Sequence, residues 1–219
     1  MFDFVEIGEL SVFILLGLAS TLAIAVGIER WFVFSKREGK DPDSSFWGIS
    51  EGLESGDTES VQRYAIESES NAYNGFGSYA LKVFSSGTSS KKELLQSKIA
   101  EEKGLLERRL SILSTLGNNA PFLGLLGTVL GVIKAFHGLG TLGSSGAEVV
   151  MRSISTALLA TAGGLALAIP VVILNNYFQR KKITILGNLE ILSLKALGGF
   201  SNPNSNHHRS GSQTGSAVL

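Results

Sequence analysis

The chain contains no cysteine. That absence excludes a disulfide framework, a thiol nucleophile and a thiolate metal site together. Charge is also scarce: 17% of the 219 residues are Asp, Glu, Lys or Arg, against roughly 25% in an average soluble chain. The two signs balance at 19 each. The shortage is concentrated in three runs with no acidic or basic residue, Leu10–Ile28, Leu110–Ile133 and Ser153–Gln179. Each exceeds the ~18 apolar residues that cross a hydrocarbon core as a helix. An ordinary soluble enzyme is excluded. The first run follows an acidic leader (Asp3, Glu6, Glu9) without Lys or Arg, and no small-residue cleavage site ends it. A secretory signal has the opposite charge pattern, so this run is expected to remain as a membrane anchor.

The fold class expected is therefore an all-α membrane protein with three spans, the second and third extending into a helical cytoplasmic domain. Four segments follow: 1–34 with the first span, 35–112 with a stalk, 113–182 with spans two and three, and 183–219 with a helix and a tail. Lys and Arg collect on cytoplasmic flanks. Arg30, Lys36, Arg37 and Lys40 follow span one, Lys98, Lys103, Arg108 and Arg109 precede span two, and Arg180, Lys181 and Lys182 follow span three. The amino terminus and the 138–149 loop carry none. This bias places the amino terminus and that loop outside and the carboxyl terminus in the cytoplasm, with 17 of the 19 basic residues inside.

Between spans one and two, Pro42 blocks continuation of the first helix. Ser44 or Ser45 is expected to cap a helix burying Phe46, Ile49 and Leu53, and Asp57 another with Val61, Tyr64 and Ala65. A third runs over Tyr73–Phe84, interrupted by Gly75 and Gly77. Thr88–Ser90 opens a stripe of Leu95, Ile99, Glu102, Leu106, Arg109 and Leu113 at helical spacing. That stripe predicts one helix from Lys91 to His137, roughly 70 Å long. After span three, apolar positions Ile183, Leu186, Leu189 and Ala196 extend the helix to a stop at Gly198-Gly199. The Ser/Asn/Gly/His-rich tail is expected to be disordered, with His207 and His208 as solvated residues rather than metal ligands.

Span two aligns Pro121, Gly124, Thr128, Gly131 and Ala135 on one face, and span three aligns Ala157, Thr161, Gly164, Ala168 and Asn175. Gly127 and Gly131 also form a GxxxG pair. Small-residue stripes are packing seams, and a threonine can bond its own helix carbonyl. A shared polar seam or pore lining is the other reading. Neither span has an Asp, Glu or His at mid-depth. Hydroxyls can line a proton route but cannot store a proton near pH 7, whereas intramembrane carboxylates can. A proton carrier, if there is one, must come from another polypeptide. Lys134, near the outer end of span two, reads as a snorkelling anchor, with an ion-pair or gating role as the alternative. Gly138-Leu139-Gly140-Thr141-Leu142-Gly143 fits GxGxxG, but it joins two spans and lacks the βαβ unit and acid that nucleotide binding requires. No GxxxxGK[ST], HExxH or GxSxG occurs, so no enzymatic role, cofactor or nucleic-acid partner is expected.

The stretch Asn119-Ala120-Pro121-Phe122-Leu123-Gly124-Leu125-Leu126-Gly127-Thr128-Val129-Leu130-Gly131, followed by Ala157-Leu158-Leu159-Ala160-Thr161-Ala162-Gly163-Gly164-Leu165 and Ala168-Ile169-Pro170, resembles the ExbB/TolQ/MotA family of inner-membrane proton-channel subunits. Three spans and an early cytoplasmic insert are similar to the ExbB/TolQ branch rather than MotA. The resemblance implies a pentamer around two copies of a single-span ExbD/TolR-like partner whose membrane aspartate carries the proton. It implies pore-facing roles for Thr128 and Thr161. A TonB- or TolA-like protein, or another envelope machine, would receive the work. The family usually carries a glutamate five residues before the span-three threonine. Here that position is Thr156, which joins the two pore threonines as a pathway residue, while Pro121, Gly124, Gly127, Gly131, Ala157, Gly164 and Ala168 serve packing. A passive membrane scaffold or a self-contained small-solute channel are the rival readings.

Overall fold

A computed structural model describes residues 2–67, 70–142 and 146–201. All its regular elements are α-helices: α1 (Phe2–Glu38), α2 (Pro42–Ser55), α3 (Thr58–Glu67), α4 (Ala72–Ser85), α5 (Lys91–Glu107), α6 (Leu110–Leu142) and α7 (Ala147–Ser201). The described residues contain no strand. Helices α1, α6 and α7 are each long and apolar enough to cross a membrane. The chain is a multi-pass, all-α membrane protein. It divides into two compact units, one of residues 1–32 and 108–180, the other of residues 33–107 and 181–219.

In the first unit, Val12 and Leu16 of α1 pack with Ala160 of α7, and Leu123, Leu130 and Leu167 close around them. With lipid outside, burial in hydrocarbon does little to hold such helices together, so close van der Waals fit must supply the association.

The second unit has a conventional core. Ile49 and Leu53 of α2, Val61 of α3, Phe76 and Ala80 of α4, and Leu95 of α5 have no measurable exposure. Ile185, Leu189 and Leu192 of α7 are as deeply buried. Helix starts follow the local chemistry, with one correction. The α2 cap is Asp41, whose carboxylate accepts the Ser44 N–H at 3.1 Å. The expected Ser44 and Ser45 lie inside the helix, because Pro42 supplies the fixed φ of a first helical residue. Asp57 caps α3 as expected, accepting the N–H groups of Glu59 and Ser60. Gly75 and Gly77 do not interrupt α4. Gly77 sits where a Cβ would come within 3.1 Å of Ile49, so it admits close packing.

Two expectations about the long helices change. The single helix over Lys91–His137 is broken at Arg108–Arg109, where Arg109 takes φ 62° and α6 restarts with Ile112 N–H donating to Arg109 C=O. The Arg109 guanidinium pairs with Glu29 of α1, an interhelical anchor for a backbone turn that a non-glycine residue adopts only at some cost. At the other end, α7 does not stop at Gly198-Gly199 but continues to Ser201. Gly199 lies directly on the carbonyls of Leu53 and Glu54, where a side chain would not fit. The tail beyond Ser201, with His207 and His208, lies outside the described residues, as does Gly143 of the GxGxxG stretch.

Candidate ion pathway between the second and third spans

Helices α6 and α7 meet along a seam made of the small residues the sequence aligned. A Cβ on Gly124 would lie 2.8 Å from the Ala160 carbonyl oxygen and 2.9 Å from the Thr161 Cα. One on Gly164 would lie 2.6 Å from the Ala120 carbonyl oxygen, and one on Gly131 would lie 2.5 Å from the Ala157 Cβ. Gly127 faces Ala160 in the same way at 2.5 Å. At Gly124 and Gly164 the approach is backbone to backbone, and at Gly127 and Gly131 it is backbone to an alanine methyl; both need the missing Cβ of glycine. Ala168 is buried, while Pro121 is half-buried. Ala120 and Ala160 belong to the seam as well, and the sequence reading had not selected them for packing. Their signal was present, since each sits four residues from a seam glycine.

The three threonines occupy different positions relative to this seam. Thr161 crosses it: its hydroxyl donates to the Gly124 carbonyl at 3.0 Å. Thr128, one turn beyond Gly124 on α6, donates to the Leu125 carbonyl of its own helix at 2.7 Å. Thr156 likewise donates to its own helix, at Arg152, 3.0 Å away. All three side chains are half-buried. A hydroxyl that donates to a carbonyl still has lone pairs to offer. Each oxygen can therefore accept a hydrogen bond from a protonated acid, and by rotating it can donate to a carboxylate. On the outer surfaces of the same helices, Phe122, Leu158 and Ile173 are more than 60% exposed.

Charged groups cluster toward the helix ends. Lys134 Nζ lies 3.0 Å from Glu9 and 3.3 Å from Glu6, with Glu9 8% exposed. The alternative reading of Lys134 as an ion-pair residue is the one realised, joining α6 to the start of α1. The clue available in the sequence was an acidic leader expected on the same side of the membrane as a solitary lysine. Toward the other end, Asn175 on α7 has a buried Oδ1 with no hydrogen-bond partner among the described residues. The described residues hold no cluster of His, Cys, Asp or Glu able to bind a metal.

A profile of the MotA/TolQ/ExbB proton channel family matches residues 67–191, more than half of the chain and all of the α6–α7 seam. The chain belongs to this family. Among its relatives, biopolymer transport protein ExbB of Aquifex aeolicus (strain VF5) is 45% identical over 93 residues, covering 42% of this chain and 62% of the relative. Biopolymer transport protein ExbB of Helicobacter pylori (strain J99) is 42% identical over 87 residues, covering 40% and 60%. Tol-Pal system protein TolQ of Pseudomonas aeruginosa is 40% identical over 89 residues, covering 41% and 38%. The matches thus span between 38% and 62% of these relatives' own lengths. The α6–α7 seam lies within the region matched to the family.

Proposed function

We propose that this MotA/TolQ/ExbB family member is a stator subunit of a bacterial inner-membrane proton channel that converts the proton motive force into mechanical work. In this reading about five copies surround a pore. Two single-span partners of the ExbD/TolR type occupy it, and a membrane aspartate on each carries the proton. The amino terminus faces the periplasm and the carboxyl terminus the cytoplasm, in keeping with the basic flanks. The recipient of the work is an envelope machine of the kind named for the relatives, biopolymer transport or the Tol-Pal system, through a TonB- or TolA-like protein.

The observation that carries this reading is a hydroxyl-lined seam without any titrating side chain. The Thr161 and Thr128 hydroxyls donate to the neighbouring carbonyls of Gly124 and Leu125 on α6, while the spans contain no Asp, Glu or His at mid-depth. Such a wall can stabilise a visiting carboxyl group in both of its states, accepting from the acid and donating to the carboxylate. Loading and unloading then require little rearrangement of the wall. Thr156, at the position where the family commonly has a glutamate, offers the same chemistry without a second charge, and protons remain the transported ion.

A passive scaffold draws support from one observation: all three hydroxyls already donate to backbone carbonyls. The double variant Thr128→Val/Thr161→Val separates the two readings, since valine preserves shape and removes the hydroxyls. For a stator, proton-motive-force-dependent activity falls by at least about tenfold, the scale of two lost hydrogen bonds, while the oligomer still assembles. Full activity in that variant favours the scaffold.

A further inference from the structure

The two aromatic side chains of α2 part company: Phe46 is buried in the second unit, while Trp47 is 64% exposed. Phe46 steadies the indole edge-on, with ring centroids 5.2 Å apart. Asp43 and Glu51, four positions to either side, share the face of Trp47. Both carboxylates are exposed, and neither forms an ion pair among the described residues. Helix α2 thus presents a bulky ring between two unpaired acids.

Within the same unit, α5 and the end of α7 form an open groove of about 440 Å³ with the complementary pattern. Its floor is apolar, made by Ile99 and Ala100 of α5 with Leu194 and Leu197 of α7. Leu194 is 69% exposed, a cost that a covering partner would remove. Lys92 and Lys103 flank this floor, 11 positions apart on one line of α5 and about 16 Å along it. Neither lysine forms an ion pair among the described residues. Glu190, on the α7 wall, offers an acceptor to an indole N–H.

Ridge and groove match in order as well as in charge. On α2 the groups run acid, indole, acid over about 12 Å; on α5 they run lysine, apolar floor, lysine. Flexible lysine stems take up the difference in length. The exposure of Trp47 shows that it does not fill the groove of its own chain. A second copy supplies the matching ridge, and a tryptophan in an apolar pocket rimmed by charge is a common centre of binding energy. Because ridge and groove lie on different helices, each copy can engage a neighbour on either side, as a ring requires.

We infer that Trp47 of one copy seats in the α5–α7 groove of the next, with Asp43 and Glu51 paired to Lys92 and Lys103 of that neighbour. The contact rests on the multi-copy assembly proposed above and names a surface through which its copies meet.

The test places a photoreactive aromatic at the ridge of the full-length chain, Trp47→benzoylphenylalanine, irradiates intact membranes and identifies the joined peptides by mass spectrometry. The expected product joins position 47 to residues 92–103 or 190–197, and mixing isotope-labelled with unlabelled chains shows that the link runs between copies. Lys92→Glu/Lys103→Glu lowers its yield by about tenfold, as does Asp43→Lys/Glu51→Lys. Combining all four substitutions restores the yield, because both sides of the contact are then reversed together. Native mass spectrometry of the unaltered chain reads the oligomer separately. An oligomer in which position 47 links only to lipid, to other proteins or elsewhere on the neighbour overturns this contact and leaves the assembly standing. A quadruple variant that links as weakly as either pair overturns it too. A chain that is monomeric throughout contradicts both the contact and the assembly on which it rests.

Discussion

A single hydrogen atom at Gly164 decides how closely α6 and α7 can approach. The Ala120 carbonyl oxygen occupies the space a Cβ would need, at 2.6 Å, and backbone cannot move aside as a side chain can. Gly163, its neighbour, has only a Leu16 methyl at 3.9 Å. Gly164→Val is therefore expected to destabilise the helix pair by about 1–3 kcal/mol or more, while Gly163→Ala is neutral. Thermal unfolding in detergent, followed by circular dichroism, measures both. The seam glycines were readable in the sequence from their spacing alone, because small residues at i and i+4 have few other uses in a membrane helix. The partners of the threonines were not. Spacing places Thr161 on the seam, but whether its hydroxyl reaches its own helix or Gly124, 37 positions away across the gap, depends on the offset between the two helices.

Pairs of elements are held by contacts that local patterns reveal only in part. Lys134 on α6 bridges Glu6 and Glu9 on α1. Of the two, Glu9 is the one shielded from water. Removing the lysine leaves that carboxylate buried without a cation, which costs about 3 kcal/mol. Lys134→Met should then destabilise strongly, and adding Glu9→Leu should recover most of the loss. Unfolding midpoints of the two single variants and the double variant give the coupling. If the double variant is as unstable as the sum of the singles, the pair makes no net contact.

At the start of α3, the hydroxyl of Ser60 and backbone N–H groups hold the Asp57 carboxyl below the usual aspartate value. The stability this cap contributes is complete above the unfolded value and disappears as pH falls through the lower folded value. Amide exchange at Glu59 and Ser60 should accelerate over that acid range. In Asp57→Asn, which still caps but does not titrate there, it should show no such step. Asp57 was readable because capping is local in sequence. The break at Arg109 was not, since neither glycine nor proline marks it and its anchor is Glu29, 80 positions away.

At the scale of the molecule, the three charge-free runs announced the spans because hydrocarbon tolerates so few charged side chains. The same scarcity underlies the proposed function, in which the wall of the pathway has hydroxyls and no acid of its own. The exposed faces of α6 and α7, with Phe122, Leu158 and Ile173 uncovered, leave ample apolar surface for lipid and for the neighbouring subunits of the proposed oligomer. The most direct test is proton flux into pH-dye-loaded liposomes under an imposed gradient, with the chain alone, with an aspartate-bearing single-span partner, and with that partner's aspartate changed to asparagine. The account predicts flux only with the intact aspartate. Flux through the chain alone, or undiminished flux with asparagine, would contradict it.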